Sequence, residues 1–273
     1  METNQNRSRD PAEREPTHAV SYEGVSKQFG DGDETVVALE DIDLDINSQE
    51  FVSIVGPSGC GKSTLLNIVA GLHEPTTGSV EFAGTDITET DLTGEIGFIF
   101  QSPVLLDWRT VEKNVLLPAE IMLKNGDIGE DMDYYRERTE ELISLVGLDG
   151  FGDSYPRELS GGMQQRVSIC QSLVYNPSIL LMDEPFGALD ALTKDKLNIE
   201  LLDIWRRTEK TILFVTHDLD EAVFLSDRVV VLSERPGRIQ DVIDVDLERP
   251  RNEETKQTEQ YHELVNDVYQ YFR

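Results

Sequence analysis

"VGPSGCGKSTLL", residues 55–66, places three glycines, a lysine and three hydroxyl side chains between two apolar runs. The run before it, FVSIV (51–55), is β-like. The run after it, LLNIVA (65–70), is helix-like and is closed by Gly71. Residues 56–63 fit the pattern G-x-x-x-x-G-K-[ST] in the strand–loop–helix context that the pattern requires. Glycines remove the Cβ atoms that would keep backbone N–H groups away from an anion, and the helix adds its free N-terminal N–H groups and positive dipole end. Gly56, Pro57, Ser58, Gly59, Cys60, Gly61, Lys62, Ser63 and Thr64 are therefore the candidate phosphate-binding residues. Lys62 is placed to reach the β- and γ-phosphates, and Ser63 to ligate Mg²⁺. The loop predicts binding of a nucleoside triphosphate.

The 273 residues suit one large domain, or one domain with a subdomain. A hydrophobic fraction of 38% supports a core. No run approaches the ~18 apolar residues that a membrane span needs, and the first residues, METNQNRSRD, lack the apolar segment of a signal peptide. Cys60 and Cys170 sit in unrelated contexts, which suggests neither a disulfide framework nor a metal site and fits a reducing cytoplasm. Cys60, before a helix, is the one candidate for a redox-sensitive thiol. With 53 acids against 24 bases the net charge is −29. That excess is spread along the chain, as on a hydrated surface adapted to molar salt in a halophile. It argues against direct nucleic-acid binding, which wants a basic patch, and against docking on anionic lipid by charge alone.

Residues 1–17 read as a disordered tail. From 18 to 46 β-like pieces are split by Gly-Asp-Gly-Asp at 30–33, a turn signal. TTGSVEFAGTDIT (76–88) reads as a hairpin and turn, and IGFIF (96–100) as a short buried strand. From about 102 to 160 helical spacing takes over, for instance at 134–146, which predicts an inserted helical subdomain. A helix is expected over 167–174, ended by Asn176-Pro177. ILLM (179–182), TILFVT (211–216) and RVVVL (228–232) are continuous apolar runs, as in parallel strands covered on both faces. Residues 251–273 form a C-terminal extension. Tyr261, Leu264, Val265, Val268 and Tyr269 share a helical spacing there, which predicts a docked amphipathic helix.

ILLMDEP (179–185) carries two acids at the carboxyl end of an expected parallel strand, the ligand edge of such a sheet. Asp183 there suits Mg²⁺, and Glu184 suits polarising a water for attack on the γ-phosphate. LSGGMQQR (159–166) opens another helix with a second small-residue anion site, although the chain has one phosphate loop.

With these motifs together the chain resembles an ATP-binding cassette (ABC) ATPase over roughly residues 18–250. The resemblance implies an α/β fold: a P-loop NTPase (RecA-like) core with an antiparallel β subdomain and the inserted helical subdomain. It also implies that two copies pair head to tail, each ATP held between one copy's phosphate loop and the other's Ser160-Gly161-Gly162. Gln101 then matches the glutamine that contacts Mg²⁺ and the attacking water. Asp190 in GALD (187–190) shapes the opposite site, His217 in FVTHD contacts the γ-phosphate, and Phe29 in VSKQF stacks on adenine. The chain departs from the family's commonest forms at Met163, at SICQSL (168–173), where an arginine is more usual, and at Ser48-Gln49-Glu50, where a Gly-Glu turn is common.

Residues 100–118, 180–193 and 216–239 resemble the importer ATPases for nitrate, sulfonates and taurine. Such a subunit works with integral membrane permease subunits at the cytoplasmic face of the membrane, and indirectly with an extracellular solute-binding protein. Leu105, Leu106 and Trp108 are expected to line the groove that receives the permease. The stretch VLLPAEI (115–121) is also similar to importers of a thiamine pyrimidine precursor. An exporter ATPase and a non-transport ABC ATPase share the same motifs. A P-loop small-molecule kinase explains the first loop but neither LSGG nor the acid pair.

Overall fold

A computed structural model describes residues 18–30 and 35–273. The tail expected over 1–17 and most of the turn at 30–33 lie outside the described residues. The phosphate-loop strand, β3 (Phe51–Val55), sits in the middle of a six-stranded sheet. The other strands are β6 (Ile96–Ile99), β7 (Ile179–Asp183), β8 (Thr211–Val215), β9 (Arg228–Leu232) and β10 (Ile239–Asp244), in the order β10-β9-β3-β8-β7-β6. All neighbours are parallel except the edge strand β10, which runs antiparallel to β9.

The three apolar runs form the sheet's interior because alternate side chains feed two cores. Leu180, Met182, Phe214, Val229 and Val231 face one core; Leu181, Leu213, Val215, Val230 and Leu232 face the other. On the second face lie α1 (Lys62–Val69) and a four-stranded antiparallel sheet in the order β2-β1-β4-β5. Its strands are β1 (His18–Phe29), β2 (Val36–Asn47), β4 (Thr77–Phe82) and β5 (Thr85–Asp86). The β4–β5 pair is the hairpin expected at 76–88. Buried Tyr22 of β1 donates to the carbonyl of Leu65 in α1, which ties this sheet to the phosphate-loop helix.

The first face is covered by helices. Residues 102–160 contain α2 (Val111–Asn125) and α3 (Met132–Leu145), whose apolar sides join the same core as α4 (Gly161–Leu173). Thr110 and Asp131 cap the first two through their side chains. Helix α4 starts six residues before the expected 167, because Ser160 caps it and the two glycines after the cap are already helical. Gln171, at the position where arginine is more usual, donates to the carbonyl of Asn114 and ties α4 to α2. In the turn before β3, Gln49 takes φ 63, a left-handed conformation that glycine adopts without strain. The Glu50 carboxylate next to it accepts from Asn47 and is paired with Arg228 at 3.1 Å.

Two elements differ from expectation. Phe100 lies beyond β6, is 47% exposed and stacks on Phe98 at 4.5 Å, so IGFIF is a half-buried edge and not a buried strand. The C-terminal helix α7 (Glu259–Tyr269) buries Tyr261 and Val268 against the first core, with Leu264 and Val265 packed beside them. Tyr269 falls at the same spacing but at the helix end, and stays exposed. Among the described residues no helix is long and apolar enough to cross a membrane.

Candidate active site

Lys62 opens α1 and is buried among the loop atoms. Its ammonium donates to the carbonyls of Gly56 and Pro57 at 2.8 and 3.1 Å. The loop thus closes around a cation. Gly61 sits at φ 113, and a Cβ there would lie 2.6 Å from Leu39 Cδ2 and 2.8 Å from the carbonyl of Ala38. Only glycine lets the loop pass so close to β2. Cys60 is packed inward, and burial pushes its thiol pKa up. A buried, protonated thiol lacks the thiolate a redox sensor needs, so that candidate falls.

A cleft of about 320 Å³ opens over this loop. Ser58, Gly59, Lys62, Ser63 and Thr64 line it from below, Phe29 and Val36 from the β1–β2 end, and Glu184 from the far side. Phe29 is 38% exposed, with its ring edge-on to His73 and the Lys27 ammonium 5.1 Å from its centre. The structure therefore brings the adenine-stacking candidate and the phosphate loop to one cavity.

Asp183 ends β7, half buried, near enough to the Ser63 hydroxyl to be influenced by it. Burial pushes its pKa up, and the neighbouring Glu184 pushes it further, against the opposing pulls of Ser63 and Lys62. A hydroxyl and a half-buried carboxylate short of countercharge form a hard oxygen pair that suits Mg²⁺. Among the described residues no group of three or more His, Cys, Asp or Glu forms a metal cage. Mg²⁺ needs none, since it takes one or two protein ligands with phosphate and water.

Glu184 adopts φ 46, a left-handed conformation that costs a non-glycine residue about 1–2 kcal/mol. Its N–H donates to the carbonyl of Val215, which holds the strained turn on the sheet. This turn aims the carboxylate at His217: Glu184 Oε2 lies 3.1 Å from its Nδ1. His217 follows β8, and Asp218 behind it caps α6 (Leu219–Leu225) and pairs with Lys194 of α5 (Ala191–Thr208) at 3.0 Å. Gln101 joins the same group. A methyl placed on Gly187 would lie 3.3 Å from Gln101 Nε2 and 3.5 Å from Glu184 Oε2, so both side chains flank that glycine. An acid, an imidazole and an amide thus converge beside a cationic phosphate loop, an arrangement able to position and deprotonate a water.

Ser160, Gly161 and Gly162 do not line this cleft. Ser160 caps α4 by accepting from the Met163 N–H at 3.3 Å, and a Cβ on Gly162 would lie 2.9 Å from Thr193 Cγ2. Asp190 caps α5 by accepting from Thr193. The signature and residues 187–190 therefore lie side by side, with Ser160, Gly161 and Asp190 exposed. This surface lies apart from the cleft over the phosphate loop.

The segment after Gln101 divides. Leu106, with Val104, Phe98, Phe100 and Leu117, lines a groove of about 230 Å³. Leu105 turns inward and packs on the first core, and Trp108 stands out 75% exposed without lining the groove. Of the three residues expected to line one groove, Leu106 lines this one and Leu105 and Trp108 do not. Every second or third residue of an irregular turn changes face, which spacing does not specify.

The loop at 233–238, missed in the sequence, packs against the phosphate loop. Arg235 lines the cleft, and a Cβ on Gly237 would lie 2.1 Å from the carbonyl of Cys60. Gly237→Ala is expected to displace one loop or the other, costing about 1–3 kcal/mol. Thermal melting and ATP titration check this: a lower Tm with weaker ATP binding is the expected pair. The signal for the loop was its RPG tripeptide (235–237), but no motif rule ties that tripeptide to a loop some 180 residues earlier.

The family model described as ABC transporter matches residues 39–187. The aliphatic sulfonates import ATP-binding protein SsuB of Bacillus cereus is 45% identical over 253 residues, covering 93% of this chain and 95% of that one. An uncharacterised ABC transporter ATP-binding protein of Methanocaldococcus jannaschii is 46% identical over 251 residues, covering 91% and 90%. Among solved structures, the dimeric ABC transporter cassette MJ0796 superposes with a TM-score of 0.72 at 35% identity, over 83% of this chain and 98% of that one. The same cassette in a dimeric post-hydrolysis state, bound to ADP and Pi, gives 0.70 at 35% identity, with the same coverage.

Proposed function

The chain belongs to the ABC transporter family, and on that premise we propose that it is the ATP-hydrolysing subunit of an importer for a small anionic solute such as an aliphatic sulfonate. The observation that carries the import reading is the similarity, over 93% of the chain, to a protein named for aliphatic sulfonate import. Nitrate, taurine and a thiamine pyrimidine precursor remain the other solutes in view, because the cassette holds ATP and not the solute.

Within this reading, ATP lies along the cleft from Phe29 to Lys62. Ser63 and Asp183 hold Mg²⁺, which when bound neutralises phosphate charge. Glu184 takes the proton of the attacking water while His217 and Gln101 hold the γ-phosphate end in place. Ser160-Gly161-Gly162 of a second copy closes the site, with Asp190 at the seam. Such an interface is heterologous yet closes on a two-fold, because each copy offers both halves. The dimeric cassettes of the same fold support the pairing.

The groove beside Gln101 is the seat for the permease, which would hold the subunit at the cytoplasmic face of the membrane. An extracellular solute-binding protein joins the assembly only through that permease. Trp108, exposed and two residues after the groove-lining Leu106, is the anchor residue of this seat. Trp108→Ala is expected to leave ATP binding unchanged and to weaken permease association by about 30-fold, the effect of losing one aromatic hot spot. Uptake at normal strength in the Trp108→Ala strain would remove the anchor. The charge of −29 suits work in molar salt, so assays belong at high KCl.

The test of the proposal is affinity purification of the chain from the membranes of its own cell, in molar salt. A permease and a solute-binding protein that binds an aliphatic sulfonate should co-purify. Partners confined to the aqueous fraction would contradict the transport reading.

A further inference from the structure

Arg235 lies in the loop between β9 and β10, and that loop is bonded to β2 by its backbone and to the phosphate loop by Arg235. The Gly237 N–H donates to the carbonyl of Ala38, and the Glu40 N–H donates to the carbonyl of Gly237, both at 3.0 Å. Arg235 itself donates to the carbonyl of Gly59 through Nε at 3.1 Å and Nη2 at 2.9 Å. It lines the same cleft as Phe29, Ser58, Lys62 and Glu184. Those two bonds use two of the five N–H donors of a guanidinium, leaving three for other partners. Among the described residues Arg235 has no carboxylate in an ion pair, in a chain with 53 acids against 24 bases. A fixed guanidinium without a counter-ion among the described residues, beside a loop built for anions, is suited to phosphate.

We propose that Arg235 is a second cationic contact for the phosphate chain of the bound nucleotide, complementing Lys62 in the same cleft. This rests on the cleft being the ATP seat. Fixing the Gly59 carbonyl sets the guanidinium's position, and the remaining donors meet phosphate oxygens. The contact is electrostatic, so it weakens as salt rises.

Titration calorimetry with ATP, ADP and adenosine tests it, on the wild type, Arg235→Gln, Arg235→Lys and Lys62→Ala. Arg235→Gln is expected to weaken ATP by about tenfold, ADP by less and adenosine not at all, since a charge-assisted phosphate contact is lost. Arg235→Lys, which keeps the charge, should stay within about threefold of the wild type. The gap between wild type and Arg235→Gln should narrow as KCl is raised. Equal ATP affinity in wild type and Arg235→Gln would overturn the proposal. So would equal losses in the Lys and Gln variants that extend to adenosine, the mark of a brace without a charge role. If the wild type bound no ATP, or Lys62→Ala bound it normally, the ATP seat itself would fall, and this contact with it.

Discussion

Glu184→Gln is expected to lower ATP turnover by about 10²–10⁴-fold while ATP binding holds near the wild-type value. The size follows from what the amide loses. Gln keeps the shape of the side chain and can still hydrogen-bond His217, so the 3.1 Å contact survives in form. It cannot accept the proton released when water oxygen bonds to the γ-phosphorus and the bond to the β-phosphate oxygen breaks. The left-handed turn at Glu184 is set by the backbone bond to Val215, so the variant should also fold as the wild type does. Steady-state phosphate release and equilibrium ATP titration separate the two quantities. Turnover within a few-fold of the wild type would mean that another group takes the proton, and Glu184 would lose its role.

Lys62→Ala acts on the other term. Its ammonium is buried and held by the carbonyls of Gly56 and Pro57, facing the cleft where the phosphates belong. Removing it deletes a charge-assisted contact to the β- and γ-phosphates, worth about 1.5–3 kcal/mol, so ATP affinity should fall by about 10–100-fold. It also removes a donor from the carbonyls of Gly56 and Pro57, the second of which keeps only the Cys60 N–H at 3.3 Å, and this should loosen the loop. ATP titration alone reads this effect. The contrast with Glu184→Gln is the informative part: one variant binds without turnover, the other binds weakly. If both lost binding, the division of labour between loop and strand end would be wrong.

The parts of the site that were legible in the sequence are those where backbone geometry dictates residue type. Gly61 at φ 113 has no substitute, and the loop pattern is a list of such positions. The acids after ILLM were legible because a parallel strand delivers its carboxyl end to the ligand edge. Likewise the two cores follow from continuous apolar runs, since a strand buried on both faces shows no alternation. Arg235 was not legible, because its partner Gly59 is far away in sequence and the link is a carbonyl, which every residue carries. Leu105, Leu106 and Trp108 share composition but divide between core, groove and solvent. Their directions depend on an irregular backbone that has no period to read. Tyr269 failed for a third reason: helical spacing continues to the end of α7, but the core it faces does not.

The split site makes the most direct demand on the molecule. A single copy holds the phosphate loop in one cleft and Ser160-Gly161-Gly162 elsewhere, so in the proposed function ATP joins two copies. Light scattering on the Glu184→Gln variant in high KCl reads this without interference from turnover. With ATP and Mg²⁺ the particle should double from the 30.8 kDa of one chain, and with ADP it should remain single. A particle that stays single while saturated with ATP would contradict the paired-cassette account.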